Sequence, residues 1–109
     1  MNRQQQLDQF SLALHRQAIA ALRREPELRA RACETLKRWR ARAGESRSDP
    51  LWNEWEQLLD RELPELERAI LAQSEHATLM RSVSPLGSLV DQRERLVLLE
   101  RAREQARMQ

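Results

Sequence analysis

The sequence predicts an all-α domain, a small bundle of five to six amphipathic helices with short loops. Three observations predict it. Charged residues make up 33% of the chain, above the usual share of about 25%, beside a lean 40% apolar content, which suits helices with one greasy stripe and a wide solvated face. Tyrosine is absent and glycine occurs only twice, which argues against a sheet with many tight turns. Apolar residues recur three and four apart along most of the chain. At 109 residues the chain is expected to be a single domain over residues 1–109, with a modest core that needs no disulfide or metal.

A first helix, from about residue 5 to residue 24, carries Leu7, Phe10, Leu14, Ala18, Ala21 and Leu22 on one stripe. Leu12, His15 and Ile19 lie off that stripe, so this helix is expected to touch neighbours on two sides, as a wrapped core element or at a dimer seam. Pro26 is expected to start a second helix, where its missing N–H costs nothing. Leu28, Ala32, Leu36, Trp39 and Ala43 carry that helix to Gly44, a left-handed stop. Glu27 with Arg31, and Glu34 with Arg38, have the spacing of intrahelical ion pairs.

Beyond a polar loop at residues 45–50, Leu51, Trp52, Trp55, Leu58 and Leu59 mark a third helix, with Ser48 or Asp49 available to cap it. Trp39, Trp52 and Trp55 should then meet near the closed end of a helical hairpin. Leu63 and Pro64 open a fourth helix that buries Leu66, Ile70 and Leu71. Ser74 starts a short fifth helix burying Ala77 and Met80, with Leu79 at their side. Asp91 and Glu94 have capping-box spacing ahead of a last helix that packs through Leu96, Leu99 and Ala102, until residues 103–109 fray.

Between Arg81 and Asp91, Val83, Leu86, Leu89 and Val90 alternate with Ser82, Ser84, Pro85, Gly87 and Ser88. Surface loops are polar because their backbone must stay hydrated, so this uncharged, greasy loop is tucked against something. Either it closes the protein's own core, with Pro85 and Gly87 setting the turns, or it presents an apolar edge to a partner.

Several chemistries find no support. His15, Cys33 and His76 are isolated, without the close pairing of a zinc site, and Cys33 reads as a small core residue. The pairs Glu54 with Glu56 and Glu65 with Glu67 are two apart and point in different directions on a helix. No glycine-rich phosphate loop exists. No catalytic, metal or cofactor-binding residue is expected, and no cofactor. The longest apolar runs, residues 18–22 and 96–99, are far too short to span a membrane, and the polar start is no secretory signal, so a reducing cytoplasmic location is expected.

Lys37 is the only lysine among the basic residues. Arg29, Arg31, Lys37, Arg38, Arg40, Arg42 and Arg47 form a cluster that invites a nucleic-acid reading, with Arg31, Arg38 and Arg42 on one flank of their helix. A pI of about 9.4 permits this, whereas a net charge of only +2 and the expected glutamate partners of Arg31 and Arg38 count against it. Residues 1–50 hold 11 basic and 6 acidic side chains and residues 51–109 hold 8 and 11, a polarity that would steer a charged partner.

The order LHR, LKRWRA, WNEWEQLL, SEHATLMRSVSPLGSLV and QRER resembles a group of short bacterial all-helical proteins. In that group an RW helix precedes an E-W-E-x-L-L helix, then S-E-x-A-x-x-L-R-x-x-S-P-hydrophobic-x-G-x-L and a later E-R. The resemblance spans most of the chain and departs from the pattern at Met80 and at Leu86-Gly87-Ser88. It implies a toxin–antitoxin type of gene pair and carries over no catalytic residue. The chain is therefore expected to be a non-enzymatic, antitoxin-like or regulatory protein-binding module. It would mask a cognate protein, such as a toxin from an adjacent gene, through Arg81, Ser84, Pro85, Leu86 and Leu89, with a homodimer also compatible. The alternative is a small DNA-binding transcriptional regulator using Arg31, Arg38 and Arg42. An enzyme accessory subunit is a third reading.

Overall fold

The computed structural model describes residues 2–108, in which six α-helices and one 3-10 turn follow one another with no strand. These are α1 (Arg3–Arg24), α2 (Leu28–Ala43), α3 (Asp49–Leu59), α4 (Leu63–Leu71), α5 (Glu75–Ser82), the 3-10 turn (Pro85–Leu89) and α6 (Gln92–Arg107). The all-α expectation holds. The axis of the bundle is α1, against which α2, α4, α5, α6 and the turn all pack. That wrapping explains its off-stripe residues: Ile19 and His15 are buried, and Leu12 is half-buried. Trp55, Ile19, Leu36, Leu66, Ile70, Met80 and Leu86 are the large side chains lost entirely from water, each contributing roughly 1.5–3 kcal/mol.

Helix starts follow local chemistry. Asn2 accepts from the Gln5 amide while the Gln5 side chain accepts from the Asn2 amide, a capping box that begins α1 earlier than its apolar stripe does. Ser74 caps α5 through the Ala77 amide, and Asp91 caps α6 through the Glu94 amide at 2.8 Å. Two expected starts differ. Pro26 lies in a turn ahead of α2, in which Leu28 N–H donates to the Glu25 carbonyl. At α3 neither Ser48 nor Asp49 caps forward, because the Asp49 carboxylate turns back to accept from the Ser46 amide.

Helix ends show how a chain with two glycines closes its orphan carbonyls. Only Gly44, with φ of 62°, follows the expected route, and it ends α2. At the ends of α3, α4 and α5 a distant side chain does the work. Arg29 donates to the Leu59 and Arg61 carbonyls at the end of α3, and Arg81 donates to those of Ile70 and Ala72 at the end of α4. The indoles of Trp55 and Trp52 donate to Met80 and Val83 at the end of α5, and both lie in one apolar cluster with Trp39 packed against it.

Other differences concern which residues face inward. Leu79, Leu96 and Leu7 are about half exposed, while Leu98 replaces Leu96 as the buried leucine of α6 beside Leu99 and Ala102. Residues 103–107, the segment expected to fray, continue α6 to Arg107, where Met108 N–H donates to the Glu104 carbonyl; Gln109 lies outside the described residues. Among those residues the helix that α6 packs on is α1, and Arg95 ties it to the 3-10 turn through the Gly87 carbonyl.

Candidate functional site

The segment first suspected of meeting a partner is the plug of the bundle. Pro85, Leu86, Leu89 and Val90 are buried, Leu86 completely, and the turn they form lies against α1 and α2. Ser84 Oγ accepts from the Leu86 amide and Ser88 Oγ donates to the Pro85 carbonyl, so the turn satisfies its polar groups from within. Arg81 is buried and spent on the end of α4, with Thr78 Oγ1 accepting a further bond. Of the residues expected to meet a partner, Arg81, Pro85, Leu86 and Leu89 are buried within the chain and Ser84 is half-buried. The physical reason is that α1 and α2 leave a gap of apolar surface that this loop fills.

Beside the plug, a groove of about 900 Å³ opens between α1, α5 and α6. Leu12 and Arg16 line it from α1, Thr78 and Leu79 from α5, and Gln105 from α6, with Arg81 at its base. Beneath this side lies a polar pair. His15 Nδ1 donates to the Ser11 carbonyl at 2.7 Å, which leaves Nε2 as an acceptor without a partner, and Arg81 Nε is a buried donor without one. Burial pushes the His15 pKa down to about 4, opposed by the bond to Ser11 and aided by the Arg81 charge. Burial likewise lowers the Arg81 value, opposed by the Asp8 carboxylate.

Among the described residues the exposed large apolar side chains are Leu7, Leu79, Leu96, Val97 and Met108; the first four belong to α1, α5 or α6, and Met108 follows α6 directly. The same three helices form the groove. Leu79 was expected inside, and its exposure, together with that of Val97, is the feature that periodicity alone missed.

The basic cluster is sorted by the fold. Arg29 is committed to α3, and Arg40 to Glu56 at 3.0 Å, Asn53 at 2.8 Å and Asp49 at 3.9 Å. The expected pairs of Glu27 with Arg31 and Glu34 with Arg38 do not form. Arg31 reaches the Ser88 carbonyl and Arg38 reaches Thr35 Oγ1 instead, because an exposed intrahelical pair is worth only about 0.2–0.5 kcal/mol. Among the described residues Arg31, Arg38 and Arg42 have no carboxylate within ion-pair distance.

No family model, curated protein or solved structure matches this chain. Function has to be argued from the geometry. Among the described residues no three His, Cys, Asp or Glu side chains cluster as metal ligands, and no helix is long and apolar enough to cross a membrane. Cys33 is half-buried against the core. His76 Nε2 lies 2.7 Å from Glu54 Oε2, an exposed pair on the rim of a smaller recess of about 530 Å³ between α3, α4 and α5.

Proposed function

We propose that this chain is a non-enzymatic protein-binding module, antitoxin-like or regulatory, that masks a cognate protein with the α1–α5–α6 side of the bundle. One observation carries the reading: among the described residues the exposed large apolar side chains are Leu7, Leu79, Leu96 and Val97 on those three helices and Met108 just past α6, and Leu79 lines the groove. Leucines half in water on neighbouring elements are the usual mark of an interaction surface, whereas single exposed leucines scattered over a fold are not. In this reading the contact surface is the groove lined by Leu12 and Leu79 rather than residues 82–89, with Val97 exposed on α6 and Arg81 part of the groove's lining.

The test is co-expression with the protein encoded beside it. Co-purification in a stoichiometric complex, lost in Leu79→Asp with the circular dichroism spectrum unchanged, is the expected outcome. Since Leu79 is 53% exposed, that substitution spares the core. A complex that survives Leu79→Asp and Val97→Asp together would remove this surface, and a monomer with no partner from the adjacent gene would remove the reading.

A further inference from the structure

The fold brings a fourth arginine to the flank of α2. Arg95, from the first turn of α6, donates to the Gly87 carbonyl at 3.2 Å, and Arg31, from α2, approaches the next carbonyl, that of Ser88, at 3.4 Å. The buried turn thus seats two guanidinium groups from helices far apart in sequence. Arg38 and Arg42 continue the line along α2. At an α-helical rise of about 1.5 Å per residue, Arg31 and Arg42 stand roughly 16 Å apart along the axis. None of the four has a carboxylate within ion-pair distance among the described residues, although Glu27 and Glu34 stand nearby on the same helix.

We infer that this ridge, Arg95–Arg31–Arg38–Arg42, binds the phosphate backbone of a nucleic-acid duplex. Guanidinium groups match phosphate oxygens in a planar, two-pronged geometry. A duplex carries one negative charge per roughly 1.7 Å of axis, so every cation of a straight row meets a phosphate without sequence matching. An acidic protein would need its carboxylates at fitted positions. The carbonyls of the turn and Thr35 Oγ1 already orient three of the four side chains. The ridge shares no residue with the groove between α1, α5 and α6, so the two surfaces can be occupied independently.

Fluorescence anisotropy of the full chain with a labelled duplex of mixed sequence tests this. Four neutralised phosphates give a log–log salt slope of about −3.6, so affinity should fall about 150-fold between roughly 50 and 200 mM salt. Arg38→Ala should reduce the slope by about 1, and the Arg31→Ala/Arg38→Ala/Arg42→Ala variant should leave about −0.9 with an unchanged melting temperature. Arg107→Ala, an exposed arginine on the far end of α6, should change nothing. Failure to retain duplex at the lower salt overturns the inference, as does an equal loss in Arg107→Ala. Displacement of the duplex by polyglutamate at equal charge concentration would assign the ridge to an acidic protein and overturn it too.

Discussion

His15 is the residue whose environment makes the firmest demand. Its folded pKa of about 4 lies below the unfolded value of 6.5, so the unfolded chain binds the extra proton between these limits. The contribution is fully present above about pH 6.5 and is lost as the pH drops; the loss totals about 3 kcal/mol once both states are protonated, below about pH 4. Urea titrations from pH 7 to pH 4 should show wild type losing stability more steeply than His15→Leu. Equal slopes would mean that the imidazole is hydrated. The unpartnered Nε2 acceptor and the unpartnered Arg81 Nε donor share that interior, and the Arg81 charge opposes a second one beside it. The sequence placed His15 off the main stripe of α1 and left open whether that side was core or seam. Periodicity sees one helix at a time, and what buries His15 is the packing of other elements around α1.

At the scale of elements, what was legible depended on range. Caps such as Ser74 and Asp91 act within one turn of chain, so residue type and spacing reveal them. Arg29 and Arg81 act on helices other than their own, and nothing in local spacing distinguishes them from solvated arginines. Four consecutive apolar residues, 96–99, fix that α6 has an apolar side without fixing its rotation, and packing on α1 chose Leu98. The turn was half legible: its lack of charge showed that it could not be wet, whereas the choice between core and partner lay in the faces α1 and α2 leave uncovered. Leu86→Ala should therefore cost about 2–5 kcal/mol, lowering the melting temperature by on the order of 10 °C or more. Lost partner association with an unaltered melting curve would contradict the core placement.

At the scale of the molecule, stability is unevenly shared. α1 is gripped from several sides, while α6 rests on α1 along one seam, with Arg95 as its hydrogen bond to the turn. Native-state hydrogen exchange should find the amides of α6 opening at lower free energy than those in the middle of α1, as a separate cooperative unit. Uniform protection across both helices would show that α6 is held by more than this one seam. A ligand that spans the groove would raise α6 protection first, because Gln105 on one wall belongs to α6.

The buried turn also sets an order on biosynthesis. Leu86 is supplied after α1 and α2, yet the apolar gap it fills is framed by those two helices. Until residues 84–89 have been translated, the two earlier helices hold an unfinished pocket open to water and to chaperones, and the emerging Ser84–Leu89 segment is the lid that ends that exposure.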